Sequence, residues 1–156
     1  MQLVFKAVRP VIKFIQLNPS SRRLLFYSFF LLTAIRLGLR FLSFKTLQHK
    51  VDRLSQTKAK TPSYTLYGIV WAVEWSTRMM PGGAKCLARA LTTQILMGQQ
   101  NYPCDLCIGV LKSEAGGLQA HAWIESDDRI VVGWVPEITN YKRLEKSFYQ
   151  GMVGLT

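Results

Sequence analysis

Acidic side chains are almost missing from the first 60 residues: Asp52 stands alone there against 12 lysines and arginines, whereas residues 61–156 hold 8 basic and 8 acidic side chains. The formal net charge of +11 therefore belongs to the forepart, and the rest of the chain is neutral. That asymmetry points to an anionic partner: nucleic acid, an acidic membrane surface, or an acidic peptide or protein. Nucleic acid fits worst, because the basic stretch shows no zinc-finger spacing, no convincing helix-turn-helix and no RNA-binding aromatic signature. The bland alternative is that these charges only keep a very apolar helical segment soluble.

Cysteine is scarce too. Cys86, Cys104 and Cys107 are an odd number without framework spacing, which excludes a disulfide scaffold. Residues Met1 to Gln16 intersperse charges among apolar positions and lack the clean apolar core of a secretory signal, so the expected compartment is a reducing cytoplasm. Cys104-x-x-Cys107 is half of a zinc or redox motif, but there is no second pair and neither histidine stands at ligand spacing. No metal and no cofactor are expected. Long uncharged apolar runs are also lacking: Leu24 to Ile35 is 12 residues, bounded by Arg22-Arg23 and Arg36. A spanning helix needs about 20. This run is expected to pack on the domain or on a partner, with peripheral membrane contact left open.

What is present suffices for a folded domain. A hydrophobic share of 49% with 12% aromatics builds a core and excludes disorder over most of the length. Asn18-Pro19-Ser20-Ser21 starts a helix with a capping serine, followed by Leu24, Tyr27, Leu31, Ala34, Ile35, Phe41 and Leu42 on one face, where Gly38 leaves a gap. Asp52 to Ser63 reads as a linker. A second helix carries Leu66, Ile69, Val70, Val73 and Met80 until Pro81 stops it, and a third runs from Ala84 to Met97 with Gly98 as its C-cap. The period then changes to that of strands over Leu106–Leu111, Gln119–Glu125 and Arg129–Gly133, with turns at Gly116-Gly117 and Asp127-Asp128. Helices followed by antiparallel hairpins make an α+β domain.

Two residues carry chemistry in this layout. Cys86 sits near a helix start after Pro81-Gly82-Gly83, where positive backbone potential favours the thiolate. His121, one of only two histidines, opens the strand-like run His121-Ala122-Trp123-Ile124-Glu125 and is able to take the thiol proton. Trp123, on the same strand face, is a candidate substrate wall, with a plain core aromatic as the competing reading.

Cys86-Leu87-Ala88-Arg89-Ala90-Leu91, Ile108-Gly109-Val110 and Ala120-His121-Ala122-Trp123-Ile124-Glu125 together resemble the lasso-peptide biosynthesis B proteins, leader peptidases of transglutaminase-like (papain-related) fold. The resemblance runs over about residues 20–145. It implies a basic helical N-terminal region, 1–60, ahead of a cysteine peptidase core, 61–156, with the cysteine helix packed on an antiparallel sheet. It implies Cys86 as nucleophile and His121 as its base. The family's third member, an acid about a dozen residues after the histidine, is missing, since Ile130 to Pro136 contains none. Glu137 is the candidate substitute. Asp127, Asp128 or a backbone carbonyl are the alternatives.

The implied reaction releases the leader from a ribosomally made precursor. Chains of this length resemble the split form, which works with a separate leader-recognition protein and a lasso cyclase. The basic forepart is a candidate dock for the recognition protein or the leader. Two readings compete: a transglutaminase-like acyltransferase using the same nucleophile, and a non-catalytic scaffold of a peptide-maturation complex.

Overall fold

Helix α1 (Pro19–Phe41) begins at Asn18, whose Oδ1 accepts the Ser21 amide at 2.8 Å, with proline at the first turn. The cap is thus the asparagine rather than the expected serine, because Pro19 and Ser20 are already helical. This computed structural model describes residues 18–59, 61–112 and 116–145. The stretch read as lacking a secretory signal, Met1 to Gln16, and the end of the core, 146–156, lie outside the described residues.

A second helix, α2 (Phe44–Ser55), occupies the first part of the expected linker. Ser43 caps it, and Leu47, Gln48 and Val51 turn inward. The single acid of the forepart has a structural partner set: the Asp52 carboxylate accepts the side-chain amides of Gln48 (3.0 Å) and Gln94 (3.1 Å). Polar composition hid this helix, since Asp52 is used to join two helices rather than to face water.

Helices α3 (Leu66–Met79), capped by Thr65, and α4 (Cys86–Gln99) complete the helical layer. The middle of α4 is buried nearly all round, through Ala88, Ala90, Leu91, Thr92, Thr93, Ile95, Leu96 and Met97. Its threonines satisfy their hydroxyls inside the helix, Thr92 on the Ala88 carbonyl and Thr93 on that of Arg89. A helix without a wet face belongs at the centre of a domain. Helices α1, α2 and α3 pack on it, as does a sheet of β1 (Asp105–Lys112), β2 (Leu118–Ser126) and β3 (Arg129–Val132). A short β4 (Lys142–Arg143) joins the other edge, giving the antiparallel order β3-β2-β1-β4. This is the expected α+β arrangement, with the cysteine helix on the sheet. The Asp127-Asp128 turn holds both residues at positive φ, +48° and +60°, as a tight two-residue hairpin requires.

By length and composition α1 is the one helix among the described residues able to cross a membrane. It extends to 23 residues, well past the uncharged run of the sequence. Its inner face, with Leu24, Leu32 and Ile35, belongs to the same core cluster as Val51, Ile69, Leu91 and Ile124.

Gly98 lies inside α4 instead of capping it, because α2 crosses there: a β-carbon would stand 2.7 Å from the Ser55 carbonyl oxygen. Gly98→Ala is therefore expected to cost about 1–3 kcal/mol despite alanine's better helix propensity. Gly38→Ala, which meets only the movable tip of Leu47, should cost less. Denaturant unfolding of both variants measures the difference.

Candidate active site

Cys86 opens α4 directly after the Pro81-Gly82-Gly83 turn, half-buried and packed against the core. The turn needs glycine, since Gly82 and Gly83 have φ of +72° and +67°. It is held from outside by α1: Arg36 Nη1 donates to the carbonyls of Pro81 (2.9 Å) and Gly83 (3.1 Å). The other three α-helices among the described residues have side-chain caps, on Asn18, Ser43 and Thr65. At α4 the capping position is Lys85, which has no acceptor oxygen and makes no side-chain cap hydrogen bond. The first amides of the cysteine helix, beside the thiol, thus receive no side-chain cap from this position. One turn on, Arg89 pairs with Glu74 of α3.

His121 lies on β2, which α4 packs against. The Cys104 thiol sits 3.8 Å from the Gln94 carbonyl, which ties the start of β1, and with it Glu125 across the ladder, to that level of α4. From Gln94 back to Cys86 is about 12 Å of helix. From Glu125 back to His121 is about 13 Å of strand. Each of the two residues thus lies that far before the point of contact in its own element. Ala122 and Ile124 enter the core shared with α4, so alternation turns His121, Trp123 and Glu125 to the other face, beside Gly109 and Cys107. Among the described residues no hydrogen bond joins the Cys86 thiol to the imidazole.

The imidazole itself is firmly placed. Its Nε2 is 2.6 Å from the Gly133 carbonyl oxygen. A carbonyl only accepts, so Nε2 carries the proton, and in the neutral ring Nδ1 is left as the acceptor. The Trp123 ring stacks on it at 6.1 Å and the Tyr141 ring approaches to 5.5 Å. Gly133 has φ of +90°, and a β-carbon there would lie 2.8 Å from the Ala122 carbonyl oxygen and 2.9 Å from Trp123 Cβ.

The family model for the transglutaminase-like superfamily matches residues 29–146. The chain belongs to the transglutaminase-like superfamily. That superfamily includes cysteine peptidases and acyltransferases. No curated protein and no solved structure matches the chain. The match begins inside α1, so a superfamily member of this kind counts part of the basic forepart within its domain.

The remaining residues singled out in the sequence are distributed as follows. Trp123 is 4% exposed and its indole N–H donates to Glu125 Oε1 at 2.7 Å, so it offers almost no surface to a ligand. Glu137 is exposed, just before a short turn at Ile138–Asn140, and the hydrogen bond His121 makes at Nε2 goes to Gly133 instead. Burial and the Glu125 carboxylate push the Cys107 thiol up to about 12, which leaves it protonated at neutral pH. Sequence reasoning missed Arg36, Lys85 and Tyr141, whose roles arise only when distant elements meet. Gly133 was legible as the place of the missing acid.

Glu125 combines opposing influences. Burial works against its charged form, but the Trp123 N–H and the Arg143 guanidinium (3.0 Å) outweigh it and hold the carboxyl below its ordinary 4.5. A lowered folded value gives stability that is fully present above 4.5 and is lost as pH falls through the folded value. Glu125→Gln should remove that part of the acid unfolding limb, read from melting temperature against pH. Gly133→Ala should destabilise the chain by about 1–3 kcal/mol through backbone strain and crowding, as measured by denaturant unfolding.

Proposed function

We propose that this chain is a cysteine peptidase that removes the leader from a lasso-peptide precursor, working with a separate recognition protein and a cyclase. The observation that carries the reading is the His121–Gly133 hydrogen bond, which leaves Nδ1 as a proton acceptor in a chain whose Cys86 opens a helix packed on the same sheet. Superfamily membership and the lasso-type motifs support it.

In the proposed cycle His121 Nδ1 takes the Cys86 proton and the thiolate attacks the scissile carbonyl carbon. The first amides of α4, left uncapped by Lys85, stabilise the oxyanion. The imidazolium returns the proton to the departing amine as the C–N bond breaks, leaving a thioester. Water, deprotonated by His121, hydrolyses it and frees the thiol. The Gly133 carbonyl takes the orienting part of the absent acid, with Trp123 bracing the ring rather than touching substrate. Being neutral, the carbonyl fixes the tautomer but stabilises the imidazolium less than a carboxylate does. The cycle also requires the imidazole, which β2 turns to the face away from α4, to come into contact with the thiol.

The scaffold reading has two observations in its favour: the described residues hold no thiol–imidazole hydrogen bond, and His121 is turned to the face of β2 away from α4. Mass spectrometry of a cognate precursor, incubated with its recognition protein and this chain, separates the two. Cys86→Ala and His121→Ala should each lower leader release by about 10³-fold or more, while Glu137→Gln stays within about twofold. Full release by Cys86→Ala would leave the scaffold. A product carrying an added amine in place of the free carboxylate would identify an acyltransferase.

A further inference from the structure

Helix α1 is apolar on both sides. Its inner face holds the buried Leu24, Ser28, Leu32 and Ile35. Opposite them, along the same helix, Phe30, Leu37 and Phe41 stand in solvent with 67%, 52% and 74% of their surface exposed. Aromatic and leucine side chains at this spacing form one stripe on the outer face. Arg23 and Arg40 lie exposed toward its two ends. The neighbouring α2 turns Lys45, His49, Lys50 and Arg53 outward, opposite Leu47 and Val51. Asp52, the one acid of the first 60 residues, does not balance this charge from the outer face, since Gln48 and Gln94 engage it.

We propose that the outer face of α1 and α2 docks the chain on an anionic lipid bilayer, with α1 lying along the interface. An apolar stripe beside a cationic face is what an interfacial helix needs: side chains that enter the acyl boundary and charges that meet acidic headgroups. The single sign of the charge selects a lipid surface over a protein partner, whose interface is ordinarily rimmed by mixed polar groups. Lying on the membrane, rather than crossing it, follows from the inner face. Crossing would strip Leu32 and Ile35 from the core and pull Arg36 from the Pro81 and Gly83 carbonyls. Because that same arginine holds the turn before Cys86, docking would set the orientation of the cysteine helix toward the bilayer. The proposal does not depend on the peptidase reading.

Sedimentation of the full chain with vesicles of phosphatidylglycerol and phosphatidylcholine, against phosphatidylcholine alone, tests it. Binding should favour the anionic vesicles by about tenfold or more and weaken as salt is raised. Phe30→Gln with Phe41→Gln should lose about tenfold in binding, and so should Lys45→Gln with Lys50→Gln. Circular dichroism melts establish that the variants fold. Phe30→Trp, which keeps the apolar character, should show a blue-shifted emission with anionic vesicles only. Equal binding to both vesicles, or binding untouched by the paired variants, overturns the proposal. Retention in cell membranes after alkaline carbonate would mean a spanning helix and overturn it as well. Absence of vesicle binding, with the Phe30/Phe41 variant losing affinity for the recognition protein, would assign the face to a protein and also sink it.

Discussion

The burial of α4 on nearly every side is the constraint on which the rest of the molecule depends. Three helices and a sheet cover Leu91, Ile95 and Met97, and the partly exposed positions of α4 lie mostly toward its two ends. One of those ends carries Cys86. Its surroundings come from far along the chain: Arg36 from α1 closes the preceding turn, and Glu74 from α3 meets Arg89. The forepart is structurally part of this arrangement, since Leu24, Leu32, Leu47 and Val51 share the core cluster with α4.

The second constraint is electrostatic. Where the resemblance leads one to expect a carboxylate twelve residues after the histidine, the chain has a glycine whose backbone turns through positive φ and presents its own carbonyl. A side chain cannot simply be restored there, because Ala122 and Trp123 occupy the space of a β-carbon. The carboxylate on the histidine's own strand, Glu125, is committed to Trp123 and Arg143. The imidazole is therefore oriented by a dipole and enclosed by aromatic rings, a setting that selects a tautomer without supplying a countercharge.

Much of this was legible in the sequence, for reasons that lie in local patterns. The cysteine helix, the three main strands and the Asp127-Asp128 turn follow from period and turn chemistry, which act over a few residues. Helix α2 was hidden because its buried face is only three residues wide and its polar groups bond inward. Gly98 resembled a helix stop, yet it is a crossing point with Ser55, a fact set by tertiary packing alone. The site divides in the same way. Cys86 and His121 are candidates by residue type and context. The Gly133 carbonyl has no side chain to read, and Arg36 acts across 45 and 47 positions.

The measurement that bears most directly on the account is the rate at which each cysteine is alkylated by iodoacetamide at neutral pH, resolved by peptide mapping, in the native chain and in His121→Ala. An imidazole that takes the Cys86 proton predicts that Cys86 reacts about tenfold or more faster in the native chain than in the variant, while Cys107 stays nearly inert in both. Equal Cys86 rates in the two proteins would contradict it, and would leave the thiol and the imidazole as separate structural residues.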